Sequence, residues 1–354
     1  MRQKILFICG SINQTKQLHK VAMHLPEYEH WFTPYYADGA LELLRKMNLL
    51  EFSIVGNKLM KRCLDYLRAY DLQIDFQGKQ HDYDLVVTCS DLVMPRNIRR
   101  KKVVLVQEGM TDPENFWYHL WKMFPFLPRW IASTSTTGLS GMYDRFCVAS
   151  EGYRDLFIRK GAPAERIVVT GIPNFDNCKE YLSNDFPYKH YVLVCTSDMR
   201  ETYKYENRKK FIEKALRIAN GRQLIFKLHP NENVERATRE INRYAPGALV
   251  FTSGNTEHMI ANCDVLITRY STTVYVGLAL GKECYSDFDI EELKRLTPIQ
   301  NGGTSAAAIA DVCREVLHQR EKQPWVYPGR PAKRRPIRDR ALGNVWSHLF
   351  ARSS

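Results

Sequence analysis

Nine short apolar runs, most of them followed by an amphipathic stretch, constrain the fold of this chain more than any other feature. They are KILFICG (4–10), YDLVVTC (83–89), KVVLVQE (102–108), RFCVAS (145–150), RIVVTG (166–171), YVLVCTS (191–197), QLIFKLH (223–229), ALVFTS (248–253) and DVLITR (264–269). Most are continuous rather than alternating. A strand reads that way when both of its faces are covered, which is the situation of a parallel sheet between layers of helices. Between them lie segments of helical period such as NRKKFIEKALRIAN (207–220) and AAAIADVCREVLHQ (306–319). Repeated strand–helix alternation predicts a doubly wound α/β architecture.

The alternation is interrupted once. CKEYLSNDFPYKH (178–190) is polar, has no clear period, and precedes a fresh strand. A chain of 354 residues is long enough for two ordinary domains. The expected organisation is therefore a first Rossmann-like unit over 1–180, a second over 181–320, and a Pro/Gly/Arg-rich basic tail over 321–354. That tail ends in ALGNVWSHLF, which has the pattern of a short closing helix. In such sheets ligands collect at the carboxyl ends of the strands. Two facing units would set those ends across a cleft.

Composition narrows the setting. Hydrophobic residues make up 44% and charged residues 25%, the profile of a globular protein. No apolar run approaches the roughly 20 residues that span a bilayer. MRQKILFICGS reads as a buried first strand rather than a signal peptide. Nine cysteines, with no CxxC pair and several inside apolar runs, behave as small hydrophobes. That pattern predicts reduced thiols, a cytoplasmic location, and neither a zinc site nor a disulfide framework. The net charge of +12 points to an anionic partner. No zinc-finger spacing or RNP-like aromatic motif accompanies it, so nucleic acid is not expected.

The strand ends carry the candidate chemistry. In KLHPNE (227–232), Lys227 and His229 alternate and so share a face, and Pro230 suits the first turn of a helix. His229 can donate to an oxyanion or move a proton. In ITRYSTTVYVGLALGK (267–282), Ser271 or Thr272 is a natural N-cap, and Thr273 adds a third hydroxyl. Such a helix start offers free N–H groups to a phosphate, although an ordinary capped helix reads the same way. In the first unit, Gly10 and Ser11 follow the first strand without a GxGxxG fingerprint. Gln14 and Gln17 could reach a sugar, and His19 reads as a helix-surface residue. Asp91 and Glu108 each close a strand, where a carboxylate can serve as a general base, cap a helix, or stand solvated. FWYHLWKMFPFLPRWI (116–131) sets Trp117, Trp121, Phe124, Phe126 and Trp130 among Lys122 and Arg129. This mixture suits a membrane interface or a lipid-linked acceptor. It equally suits a helix lining the core or the cleft.

Taken together, the strand-end KxHP and the Ser/Thr-rich helix start some forty residues later resemble the nucleotide-binding half of GT-B enzymes. The nearest resemblances are to UDP-N-acetylglucosamine 2-epimerase-like enzymes and to CDP-glycerol glycerophosphotransferases and capsule-polysaccharide transferases. ITRYSTTVYVGLALGK is similar to the ITDYSS-type segment of the glycerophosphotransferases. RIVVTGIPNFD (166–176) and DRFCVASEGYRDLFIRKG (144–161) resemble segments common to both groups, so the likeness covers most of 144–285.

The resemblance implies a GT-B fold in which His229, Ser271, Thr272 and Thr273 hold the donor diphosphate. Lys227 would add charge there, and Asp287 would meet a donor hydroxyl. It matches Asp91 and Glu108 in position to the acidic residues of the epimerases, with Glu114 as a further acid. The epimerases carry a Gly-Gly-Glu-Glu-like run at the helix start. Here the run is STTVYVGLA, without a carboxylate, which favours transfer. The expected activity is glycosyl transfer from a nucleotide-activated sugar to an envelope or capsule glycan or lipid-linked acceptor. The alternatives are 2-epimerisation, glycerophosphate transfer, or a non-catalytic nucleotide-sugar-binding scaffold. No cofactor beyond the donor is expected. Nor is a metal, because the chain has no evident Asp-x-Asp pair and the helix start with Lys227 can supply positive potential. Peripheral contact with the inner membrane face is a further expectation.

Overall fold

The computed structural model describes residues 2–47, 56–201 and 205–319. The basic tail assigned to 321–354, with its closing helix, lies outside them. In chain order the elements are β1 (Lys4–Cys9), α1 (Ile12–Met23), β2 (Glu29–Pro34), α2 (Ala40–Lys46), α3 (Asn57–Ala69), β3 (Leu85–Thr88), β4 (Lys102–Val106), α4 (Phe116–Met123), β5 (Arg145–Val148), α5 (Glu151–Lys160) and β6 (Ile167–Val169). Then follow β7 (Val192–Cys195), α6 (Arg208–Ala219), β8 (Leu224–Lys227), α7 (Val234–Tyr244), β9 (Leu249–Phe251), α8 (Thr256–Asn262), β10 (Val265–Ile267), α9 (Thr273–Ala279), β11 (Glu283–Tyr285), α10 (Ile290–Leu296) and α11 (Ser305–His318).

The strands form two sheets, six-stranded in the order β2-β1-β3-β4-β5-β6 and five-stranded in the order β11-β10-β7-β8-β9. Every pairing is parallel. All nine apolar runs are strands. Two further strands escaped the pattern. β2 (EHWFTP) is an edge strand that starts polar and ends on proline, and β11 (ECY) is a three-residue edge. Edge strands have one open side and need no continuous apolar run.

Alternation along each strand builds two apolar layers per sheet. In the first sheet Leu6, Ile8, Val86, Leu105 and Phe146 face one core, and Ile5, Phe7, Val87, Val104 and Cys147 face the other. The second layer is closed by α1, α3 and, from far along the chain, α11 through Ile309, Val312, Cys313 and Val316. This corrects the expected organisation, which placed 306–319 in the second unit. Its apolar stripe packs against β3, β4 and β5 instead. The first core also takes in Val274 and Tyr275 of α9 and Leu293 and Leu296 of α10, so the two sheets are tied through those helices. The Tyr153 and Tyr275 hydroxyls meet at 2.6 Å.

Eight of the nine cysteines are buried, Cys284 is half-buried, and all are free thiols.

Candidate active site

Each sheet changes direction once. In the second sheet the order runs outward from β7 through β8 and β9 on one side and through β10 and β11 on the other. The crevice between β7 and β10 is thus a topological switch point, where open α/β sheets bind ligands. Two hydroxyls lie at its mouth, Ser197 Oγ beyond β7 and Thr268 Oγ1 beyond β10. Both are buried and have no hydrogen-bond partner among the described residues. Sequence reading missed both. Only the strand order, which no single segment encodes, marks them.

Lys227 ends β8 on the face shared with Ile225 and Cys195. Its ammonium is buried, donates to the Leu228 carbonyl at 3.1 Å, and has its pKa lowered by desolvation, against the pull of Cys195 and Glu257. His229 is half-exposed. Its backbone N–H donates to Thr196 Oγ1 at 3.1 Å and to Glu232 Oε2 at 3.3 Å, and its Nδ1 accepts from the Asn231 N–H at 3.2 Å. With Nδ1 occupied, the imidazole is held by its own loop. Pro230 does not open a helix: residues 230–232 form a turn, and α7 starts after the N-cap Asn233.

Behind the loop stands an ionic network that no motif announces. Glu232 receives Arg208, Arg208 also holds Glu206, and Glu206 lies 3.3 Å from Arg200 and 3.4 Å from Arg269. Arg200 closes on Glu240 through two bonds of 2.8 Å. Removing one partner from such a buried set strands the others, so the network fixes the loop geometry. Asp287 belongs to it, through a 2.6 Å bond from Arg269 Nε, and so already has a partner of its own.

At the helix start, the Ser271 and Thr273 hydroxyls are 2.9 Å apart, and Ser271 Oγ accepts the Thr273 N–H at 3.4 Å. Thr272 occupies the cap position in helical conformation, and its side chain makes no capping bond. Its methyl points at the first sheet. A Cβ on Gly109 would come within 3.0 Å of Thr272 Cγ2, so a larger residue there would have to push the Thr272 side chain aside.

Gly109 follows Glu108, whose carboxylate is presented by α1. Ser11 is the α1 N-cap, accepting the Gln14 N–H at 3.2 Å, and its hydroxyl donates to Glu108 Oε1 at 2.6 Å. Gln14 Nε2 donates to Glu108 Oε2 at 2.5 Å. Each carboxylate oxygen thus holds one donor and keeps further lone-pair capacity. Gly10 is buried at the end of β1, directly before this pair.

The other first-unit candidates lie elsewhere. Asp91 is buried with Arg129 at 3.1 Å and accepts the Gly138 and Ser140 N–H groups at 3.1 and 3.0 Å. Its oxygens are committed to the 129–140 segment, which corrects its assignment as a base. Gln17 does not reach outward. It is fully buried and donates to the Gln107 carbonyl at 2.8 Å. His19 packs between Tyr66 and Tyr70, and desolvation lowers its pKa. Glu114 is exposed.

Asp-x-Asp spacing does occur, contrary to the sequence reading, at Asp82/Asp84 and Asp287/Asp289. All four carboxylates have protein partners: Lys101, the Lys4 N–H, Arg269 and the Glu291 N–H. No cluster of three or more metal-ligating side chains exists among the described residues.

Against solved structures, the fold is matched across nearly the whole chain. A putative UDP-N-acetylglucosamine 2-epimerase from Listeria monocytogenes aligns with TM-score 0.55 at 12% identity, over 92% of this chain and 100% of that one. A UDP-GlcNAc 2-epimerase from Neisseria meningitidis, bound to UDP-GlcNAc, aligns with TM-score 0.53 at 12% identity, over 88% and 100%. A variant of the wall teichoic acid polymerase TagF aligns with TM-score 0.51 at 11% identity, over 89% of both chains.

The fold is GT-B.

These are the two groups that the sequence motifs resemble, and at this identity the likeness concerns the fold alone. No protein-family model matches the chain, and no curated protein does. Among the described residues, no helix is long and apolar enough to cross a membrane.

Proposed function

We propose that the chain is a glycosyltransferase. It would move a sugar from a nucleotide-activated donor to an envelope or capsule glycan, free or lipid-linked, at the cytoplasmic face of the membrane. The observation that carries this reading is the juxtaposition of Glu108–Gly109 with Thr272. Glu108 follows β4 of the first sheet, and the next residue, Gly109, lies against Thr272 at the hydroxyl-rich helix start of the second.

In an inverting displacement, Glu108 takes the acceptor hydroxyl proton as that oxygen attacks the anomeric carbon. The bond from that carbon to the diphosphate oxygen breaks, and the nucleoside diphosphate leaves. The charge that gathers on the leaving phosphate is met by His229, Lys227 and the hydroxyls of Ser271, Thr272 and Thr273. α9 has only seven residues, so side chains rather than a long helix dipole supply most of that stabilisation. Ser197 and Thr268 would add donors at the switch point. Nothing in this scheme needs a cofactor beyond the donor.

The geometry disfavours 2-epimerisation. Of the two further acids that the epimerase resemblance suggests, Asp91 is spent on Arg129 and two backbone N–H groups, and Glu114 is exposed.

The test is thermal unfolding against UDP, GDP, CDP, CMP and ADP in large excess. A ligand at 100 times its dissociation constant adds about 2.7 kcal/mol. One nucleotide should shift the transition, and His229→Ala should remove the shift. Nucleotide release that requires acceptor separates transfer from epimerisation, and CDP-glycerol as donor separates glycerophosphate transfer. No shift with any nucleotide overturns the nucleotide-site reading, and a shift without turnover favours the non-catalytic nucleotide-sugar-binding scaffold.

A further inference from the structure

The aromatic segment that the mechanism leaves unused is largely outside the core. In α4, Tyr118 and Trp121 point inward, and Phe116, Trp117 and Met123 point to solvent. The following loop exposes Phe124, Phe126 and Trp130. Phe116 and Met123 are 70% exposed and Phe126 is 82% exposed, and exposed apolar side chains mark a contact surface when they are grouped rather than scattered. The rings are grouped, with Phe116 against Trp117 at 5.5 Å and Phe124 against Phe126 at 5.9 Å. Pro125 and Pro128 flank Phe126 and restrict the loop that carries it.

Charge identifies the occupant. From Phe116 to Tyr143 no residue is acidic, although the chain holds 39 Asp and Glu. His119 and Lys122 are exposed within the platform, and the whole chain carries +12. Exposed Trp117 and Trp130 with Phe116, Phe124 and Phe126, Lys122 beside them and no carboxylate between residues 116 and 143 form a surface complementary to anionic headgroups over hydrocarbon. Glu114 and the N-cap Asn115 stand at the start of α4, and beyond them the segment offers a protein partner no acidic or amide side chain. The platform also begins eight residues after Glu108, so it lies on the same loop excursion from β4 that presents the proposed base.

We propose that α4 and the 124–130 loop form a docking surface for an anionic lipid bilayer. The surface places the β4 loop at the membrane, where a lipid-linked acceptor would be met. The proposal deepens the transferase reading by naming where its acceptor is found. Vesicle binding needs neither nucleotide nor turnover, so either reading can fail without the other.

The test uses the full chain with phosphatidylcholine vesicles, with and without phosphatidylglycerol, in a co-sedimentation assay. Wild type should pellet with the anionic vesicles. Trp117→Ser combined with Phe126→Ser should lower the partition coefficient by roughly a hundredfold, since each ring withdrawn from the interface removes about tenfold in affinity. Met23→Ser, an equally exposed apolar side chain on α1, should leave it unchanged. Brominated acyl chains should quench wild-type tryptophan fluorescence, a readout that needs no variant to fold. Unchanged binding by the double variant, absence of quenching, or failure of wild type to bind anionic vesicles overturns the proposal. So does conversion of a dimer to a monomer by the double variant without any vesicle binding, which would assign the platform to a second copy of the chain.

Discussion

Glu108→Gln is the sharpest probe of the proposed chemistry, because the surroundings let it remove a proton acceptor and little else. The carboxylate accepts from Ser11 Oγ at 2.6 Å and from Gln14 Nε2 at 2.5 Å. A glutamine keeps an acceptor for one of them, but its new amide N–H₂ would oppose the other donor. Gln14 resolves the conflict. Its Oε1 is buried without a partner, so turning its amide over offers an acceptor to the incoming N–H₂. The exchange should cost about 1 to 3 kcal/mol, since neutral bonds replace charge-assisted ones and the turned amide sets the Gln14 N–H₂ where its Oε1 had no partner. Catalysis should fall much further. A positioned general base contributes roughly 10²- to 10⁴-fold, or about 3 to 5 kcal/mol of barrier. Donor affinity should hold, because the nucleotide contacts proposed here lie on the other sheet. The assay is acceptor-dependent nucleotide release with a panel of UDP-, GDP- and CDP-activated donors, alongside nucleotide thermal shifts on the same preparation. The reasoning is refuted if the variant keeps more than about a tenth of wild-type kcat. It is also refuted if the nucleotide shift disappears together with turnover, which would make Glu108 a donor-binding residue.

Asp91→Ala should cost about 3 to 5 kcal/mol, because it strands Arg129 and two backbone donors in a buried site. Urea denaturation reads this directly, and activity per folded molecule should stay near wild type. Gly152→Ala would put a Cβ 2.0 Å from the Arg295 carbonyl oxygen, a backbone atom of α10. The helices must part, so a loss of about 3 kcal/mol or more is expected in the same measurement. Lys160 is buried, and desolvation lowers its pKa to about 8 from 10.5, with Glu114 and Asp112 opposing. Between those values the unfolded chain binds more protons than the folded one, so wild-type stability gains with rising pH from this residue. Lys160→Met should therefore be the more stable protein at pH 7, by up to roughly 3 kcal/mol. That advantage should shrink between pH 8 and 10.5, as read from melting curves across the range.

The layers of the fold were legible because they rest on local patterns. A run such as YVLVC needs both faces covered whatever its neighbours are. The cyclic order of the strands rests on no local pattern, and it creates the switch point at Ser197 and Thr268. The two carboxylates show the same limit. Asp91 and Glu108 each follow an apolar strand and look alike in sequence. What distinguishes them is the neighbour that the fold delivers: Arg129 and the 138–140 backbone for one, the Ser11 cap and Gln14 for the other. The network through Glu206 and Glu232 draws on seven charged residues between Arg200 and Asp287, and none of them has a conspicuous spacing. KLHPNE, by contrast, was legible as a strand end because the transition from LIF to polar residues is abrupt.

The return of α11 to the first sheet has a consequence for the order in which this protein is made. Ile309, Val312, Cys313 and Val316 cover apolar positions on β3, β4 and β5, more than 150 residues earlier in the chain at the nearest. During synthesis the first sheet is complete by Val169, yet one of its faces stays partly bare until the last described helix has left the ribosome. The second sheet, whose layers are built from residues between Cys178 and Tyr285, can close them before then. The half encoded first is therefore the half finished last. A fragment ending near residue 180, cut at the linker, would carry that uncovered face into solution and aggregate rather than fold.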